Sequence, residues 1–192
     1  MPKIQILSSS VRTGRNSHRV ALYFKQFIET HGVAEVEILD LDEYQFPLFE
    51  ERLAFMSEPS PAILEYADKI KKADGVLIMC PEYNGGYPAS LKNAIDLLHP
   101  EWRKKPVGIV AISGGQFGGS QALMGLEFVM WKIGAWVIPA QFPVPFVGKT
   151  FDEKGKASDA EKSDARAKKF VNELLWCIEA QNKMKEYKPI LV

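Results

Sequence analysis

Short apolar runs alternate with segments of helical periodicity along the chain. Residues 3 to 7 form an apolar run closed by Ser8-Ser9-Ser10, and from Asn16 onward Val20, Phe24, Phe27 and Ile28 recur at helical spacing, which predicts strand, loop, helix. Val36 to Leu39 predicts a second strand, followed by a long irregular stretch from Leu41 to Glu58 around Phe46-Pro47-Leu48-Phe49. Ser60-Pro61 marks a helix start, with serine as the cap and proline at the first helical position, and Ile63, Tyr66, Ala67 and Ile70 form its buried stripe. Val76 to Cys80, ended by Pro81, and Val107 to Ile112, ended by Ser113-Gly114-Gly115, are continuous apolar runs of the kind buried on both faces of a parallel sheet. Helical segments follow both, from Ala89 to Leu98 and from Ser120 to Ile133, the latter with Leu123, Leu126 and Met130 inward. A short fifth strand, Ala135 to Ile138, precedes a loop interrupted by Pro139, Pro143 and Pro145. The polar segment Asp152 to Ser158 leads to a last helix, Asp159 to Ala180, that buries Phe170, Val171, Leu174, Leu175 and Ile178.

Strands alternating with helices predict an α/β fold of three layers, α/β/α, with a five-stranded parallel sheet and right-handed crossovers. The economical strand order is 2-1-3-4-5. Ligands of such sheets bind beyond the carboxyl ends of the strands at the switch point, here between strands 1 and 3, and the three unusual loops of this sequence all fall at that edge.

With 192 residues and no linker-like stretch, the whole chain reads as one domain, residues 1–192, with 181–192 as a C-terminal tail. Lys plus Arg and Asp plus Glu both number 24, so no global field recruits nucleic acid or an anionic membrane, and any anion must be caught locally. Two cysteines, Cys80 and Cys177, exclude a disulfide framework and fit a reduced, cytoplasmic setting. The apolar runs fall far short of the ~20 residues that span a bilayer, and the N-terminus lacks the pattern of an export signal. His18, His31 and His99 have no metal-ligand spacing, and no Gly-x-Ser-x-Gly elbow occurs, so metal and acyl-transfer chemistry lose support. Glu101-Trp102-Arg103-Lys104-Lys105 reads as a solvated turn, and Trp131 and Trp136 as core or subunit contact.

The first loop, Ser8 to Ser17, gathers hydroxyls, Arg12, Arg15 and Gly14 between a strand and a helix N-terminus. Free backbone N–H groups and the positive end of the helix dipole favour an anion there, and guanidinium groups hold phosphate oxygens in pairs. It is neither GxxxxGK[ST] nor GxGxxG, so nucleoside triphosphate hydrolysis and the dinucleotide fingerprint are not indicated. The second loop, Pro81-Glu82-Tyr83-Asn84-Gly85-Gly86-Tyr87-Pro88, suits a flat ligand, but its residues also suit a plain strand-to-helix turn. The third, Ser113-Gly114-Gly115-Gln116-Phe117-Gly118-Gly119-Ser120, presents backbone N–H groups at a strand end, which suit carbonyl oxygens or developing negative charge.

Together these residues resemble the NADPH-dependent FMN reductase family of flavodoxin-like oxidoreductases, which includes quinone and azo-dye reductases. The resemblance is most specific at Pro81-Glu82-Tyr83-Asn84, Pro88 and Leu91-Lys92-Asn93-Ala94-Ile95-Asp96, and extends to the phosphate loop at Ser9-Ser10-Val11-Arg12 and to the Ser113-Gly114-Gly115 segment. It implies that Ser10, Arg12, Arg15, Asn16 and Ser17 hold the FMN phosphate. Pro81, Glu82, Tyr83 and Asn84 would then flank the isoalloxazine, with Ser113, Gly114 and Gly115 along its pyrimidine side. Ser9 departs from the family's usual glycine, and Gly86 from a frequent serine. The implied activity is hydride transfer from NADPH or NADH to bound FMN, then to a quinone, azo compound or flavin, with the chemistry on the cofactor and no protein acid or base. A flavodoxin-type electron carrier and a flavin-based redox sensor are the alternatives; such carriers are typically strongly acidic, and this chain is neutral. The resemblance also implies a homodimer or tetramer. Apolar material crowded into Tyr44 to Phe55 and Phe142 to Phe151 points the same way, and Leu91, Ile95 and Leu98 are the candidate seam.

Overall fold

The computed structural model describes residues 1–187. Strand β1 (Lys3–Ser8) leads to helix α1 (Ser17–His31), β2 (Glu35–Asp40), the short α2 (Leu41–Tyr44), α3 (Pro61–Lys72) and β3 (Gly75–Pro81). Then come α4 (Ala89–Asp96), β4 (Pro106–Ile112), α5 (Ser120–Lys132), β5 (Trp136–Val137), β6 (Phe142–Val144), α6 (Val147–Thr150) and α7 (Ala160–Lys183). The sheet is parallel and ordered β2-β1-β3-β4-β5, the expected flavodoxin-like order. Helix α3 starts as its sequence predicts, with the Ser60 hydroxyl accepting from the Ile63 N–H at 3.4 Å and Pro61 at the first turn. Helix α7 continues past Ala180 to Lys183, so the expected tail begins as helix; its residues 188–192 lie outside the described residues.

Alternation along the central strands fills two cores. Ile4 and Ile6 of β1, Leu77 and Met79 of β3, and Val110 and Ile112 of β4 face α1 and α7, where they meet Val20, Phe24, Phe170 and Leu174. Leu7, Val76, Ile78, Cys80, Val107 and Ile109 face α3, α4 and α5. Gly108 is small for a reason: a Cβ there would lie 2.8 Å from Leu77 and 2.9 Å from the Phe170 ring, so its absence lets α7 settle on β4.

The edge beyond β4 departs from expectation. Only Trp136–Val137 of the predicted fifth strand pairs with β4, and the proline-interrupted loop supplies a further strand, β6, on the same side. Pro139 has no N–H for the ladder, so the chain leaves β4 after Val137 and returns at Phe142 opposite Val110. Pro143 is tolerated because β6 is an edge strand.

Three further readings are corrected. Leu91, Ile95 and Leu98 do not form a seam: all three are buried in the second core, against the protein's own sheet. Most of the apolar material in Phe142 to Phe151 is likewise internal, with Phe142, Val144, Val147 and Phe151 in the first core. The Glu101 to Lys105 turn is not simply solvated: Trp102 is fully buried with its indole N–H donating to the Ile95 carbonyl at 3.2 Å, and the buried Lys105 amine donates to the carbonyls of Lys71 and Ala73 at the end of α3.

Because Trp102 combines burial with a satisfied indole, Trp102→Ala is expected to cost about 3–5 kcal/mol in chemical denaturation, with two-state unfolding retained.

Candidate functional site

The carboxyl ends of β1, β3 and β4 place the three loops around one cleft of about 210 Å3. Of the residues singled out in the sequence, Ser10, Arg12, Arg15, Asn16, Ser17, Pro81, Glu82, Tyr83, Ser113 and Gly114 line it. Asn84 and Gly115 do not. Gly14 of the first loop lines it too, as do Ile112 and Val147, which were not anticipated. For Val147 no local signal existed, because α6 reaches the cleft through the β6 connection.

The first loop is built from inside outward. Ser8, Ser9 and Ser10 are fully buried. The Ser9 hydroxyl donates to the Met79 carbonyl at 2.6 Å, tying the end of β1 to β3, and Ser9 has no positive φ, so the family's glycine is not required there. Ser90 donates to the Ser9 carbonyl at 2.6 Å. The Ser10 hydroxyl shares a short hydrogen bond with the Tyr83 hydroxyl and accepts from the Arg12 N–H at 3.3 Å. The loop thus joins the second loop directly.

Its two arginines have different surroundings. Arg15 grips Asp40 with both terminal nitrogens, one of them at 2.5 Å, and donates to the Ser10 carbonyl at 2.7 Å. Burial would lower its guanidinium, but the hydrogen bond and charge of Asp40 outweigh burial and hold it above the ordinary value. Arg12 is exposed, lines the cleft, and makes no ion pair among the described residues. The start of α1 is also open: among the described residues Asn16 makes no side-chain cap, and the buried Ser17 hydroxyl has no hydrogen-bond partner. A helix start with unclaimed N–H groups, an orphaned buried hydroxyl and an unpaired guanidinium fits a phosphate group.

In the second loop, Tyr83 and Gly86 exchange backbone hydrogen bonds at 2.8 and 3.0 Å around Asn84 and Gly85, both with positive φ. This is a primed hairpin turn, for which Asn-Gly is the preferred pair. Asn84 therefore occupies an exposed turn position rather than the cleft wall. The Glu82 carboxylate accepts from the Gln121 and Ala122 N–H groups at 3.0 and 3.2 Å and so caps α5. Cys80, just beneath, is buried, and burial pushes its thiol up to about 12, so it is no nucleophile.

In the third loop the Ser113 N–H is committed to the Val144 carbonyl at 3.0 Å, which removes it from the donors expected to meet a ligand. Gly114 is exposed, and a Cβ there would meet nothing within 4 Å. Gly119 closes the loop at φ +83, where a Cβ would stand 2.7 Å from the Ile112 nitrogen.

A cleft at the switch point of a parallel sheet ordered β2-β1-β3-β4-β5 places the protein in the flavodoxin-like class. The family comparison is specific: residues 2–149 match the model of NADPH-dependent FMN reductases, and the chain belongs to that family. It is an oxidoreductase whose cofactors are FMN and NAD(P)H. An NAD(P)H-dependent FMN reductase of Saccharomyces cerevisiae is 33% identical over 141 residues, 67% of this chain and 73% of that one. An FMN-dependent NADPH-azoreductase of Staphylococcus haemolyticus is 28% identical over 176 residues, 88% of this chain and 92% of that one. Among solved structures, an NAD(P)H:acceptor oxidoreductase of Paracoccus denitrificans superposes with a TM-score of 0.76 at 20% identity, covering 93% of this chain and 98% of that one, which shows a shared fold.

Open space at Gly114 makes the third loop testable without harming the fold. Gly114→Val is expected to keep its denaturation midpoint within about 0.5 kcal/mol of wild type, while equilibrium dialysis finds FMN binding lost.

Proposed function

We propose that the cleft holds FMN with its phosphate at the first loop and its ring between the second and third. FMN held there would supply the redox chemistry for hydride uptake from NADPH or NADH and electron delivery to a small acceptor such as a quinone, an azo compound or free flavin. The observation that carries the reading is that the Ser17 hydroxyl and the Arg12 guanidinium, neither with a partner among the described residues, line the same cleft at the open start of α1. Arg12, Ser10, Asn16 and Ser17 bind the phosphate, Tyr83 and Pro81 flank the ring, and the Gly114 backbone leaves room for its polar edge. No side chain is needed as acid or base. Both cysteines are free and buried, which suits a reducing, cytoplasmic setting, and no described helix is long and apolar enough to cross a membrane.

An enzyme rather than an electron carrier is favoured by the formal net charge of zero, since a carrier docks on partners through a strong field. Anaerobic NADPH should bleach the flavin of the purified protein and sustain reduction of a quinone with no partner protein present. A flavin that NADPH leaves oxidised would instead indicate a carrier or sensor. Arg12→Ala should weaken FMN binding roughly 10- to 150-fold, by loss of a charge-assisted hydrogen bond, and leave riboflavin binding unchanged. Equal loss for both flavins would move the phosphate elsewhere.

The subunit contact, displaced from Leu91, Ile95 and Leu98, finds a better place on α5. Its inner face buries Leu123, Leu126 and Met130, yet the outer face exposes Met124, Phe128 and Trp131, with Phe117 of the third loop also exposed. A helix apolar on both faces is normally covered on both. The occupant is a second copy of the chain: Met124, Phe128 and Trp131 carry no charge, so a two-fold axis can bring the stripe onto itself without like-charge repulsion. Light scattering should report a dimer for the wild type and a monomer for Trp131→Glu, and a dimer unchanged by that substitution would reject this face.

A further inference from the structure

Asp40 ends β2 and is almost fully buried, its side chain 5% exposed. A buried carboxylate is costly unless it is paired and hydrogen-bonded, and this one is engaged from several sides. Arg15 meets both of its oxygens, the Asp42 N–H donates to Oδ1 at 3.1 Å, and His18 Nδ1 lies 3.3 Å from Oδ2 while also 3.0 Å from the Ser8 hydroxyl. Asp42 adds a second, more exposed carboxylate 3.5 Å from Arg15. The Arg15 guanidinium does more than neutralise Asp40, because Nη1 also donates to the Ser10 carbonyl. One planar cation therefore spans from the end of β2 to the residue whose hydroxyl meets Tyr83 and the Arg12 N–H.

We propose that Asp40 is a positioning residue for the flavin phosphate: through Arg15 it holds the Ser10 to Asn16 loop in its anion-accepting form, leaving Arg12 as the guanidinium that meets the phosphate. The proposal rests on the reading of the cleft as an FMN site. It assigns Arg15, one of the expected phosphate ligands, to the scaffold instead. Three of the five Arg15 N–H donors are committed to the Asp40 carboxylate and the Ser10 carbonyl, and the paired Asp40 charge would repel a third anion at short range. The opposite assignment, Arg15 as a phosphate ligand restrained by Asp40, predicts the opposite sign: removing the carboxylate would free a cation and tighten FMN binding.

Asp40→Asn separates the two, because asparagine keeps an acceptor for the Asp42 N–H and so preserves the cap of α2, while the charge that fixes Arg15 is gone. Arg15→Gln approaches the pair from the other side. Dissociation constants for FMN and riboflavin would be measured for the wild type, both single variants and the double variant, with thermal unfolding as a control on the fold. Each single variant is expected to weaken FMN about 10-fold with riboflavin unchanged, and the double variant to lose no more than the weaker single, since both residues act through one contact. A merely structural defect would weaken both flavins together and overturn the proposal, as would FMN affinity in Asp40→Asn that is unchanged or tighter. Hydrogen exchange on the flavin-free protein gives a readout independent of FMN: the amides of Arg12 to Asn16 should exchange faster in Asp40→Asn, and unaltered exchange would overturn the strut. A wild type that binds FMN no better than riboflavin would instead defeat the FMN reading, and the exchange result would then decide the strut by itself.

Discussion

Parallel pairing of β1 with β3, both buried on their two faces, obliges the chain to leave both strands over the same edge of the sheet before it can turn into a helix. After β1 the chain goes to α1 on one face, and after β3 it goes to α4 on the other, so the two connections diverge and leave a crevice between them. Everything described at the site follows from that divergence. Three buried serines finish β1, and the Ser9 hydroxyl takes over from the backbone ladder by reaching the Met79 carbonyl of β3. The crevice floor is therefore a hydrogen-bonded continuation of the sheet rather than a mobile loop base.

The walls of the crevice are tied to one another by the same logic. Glu82 gives its carboxylate to the first turn of α5, and its N–H to the Ile112 carbonyl at 2.9 Å, so the second loop is fastened to the helix that the third loop begins. The third loop is in turn stitched to β6 and α6 through Ser113, whose N–H meets Val144 and whose carbonyl receives the Val147 N–H at 3.0 Å. This is why the irregular β5 and β6 edge matters to a site on the other side of β4. It also explains why polar groups that look like ligand contacts in the sequence are consumed inside the protein, leaving Arg12, the Ser17 hydroxyl and the open helix start without partners among the described residues.

Much of the architecture was legible because its causes are short-range. Strand and helix periodicity, the Ser60-Pro61 start of α3 and the glycine-rich ends of β3 and β4 all depend on neighbours a few residues apart, and the strand order was the economical one for alternating strands and helices. Most of the cleft lining followed as well, since the loops at one edge of a parallel sheet are fixed once the strands are. The exceptions share one feature. Asn84-Gly85 is a hairpin turn signal that a ligand reading of the same residues overlooks. Pro139 ends one short strand without preventing the edge from pairing again. Trp102 and Lys105 sit in a stretch whose charges suggest solvent, yet two other helices bury them.

Local patterning in the sequence was enough to fix the class: a parallel α/β sheet, a polar, arginine-bearing loop after the first strand, and membership of the NADPH-dependent FMN reductases. Which side chains line the cleft unpaired and which are consumed inside the protein was decided by tertiary structure. Arg12 and Arg15 stand in one loop with the same chemistry, and what separates them is Asp40, 25 residues further on. Ser10 meets Tyr83 across 73 residues, and Ser9 meets Met79 across 70. Leu91 and Ile95, expected at a subunit seam, are instead covered by the protein's own sheet. A hydrophobic period or a turn residue acts on its own stretch of chain and can be read there, whereas a charge or hydroxyl takes its role from whichever group the fold brings within about 3 Å of it.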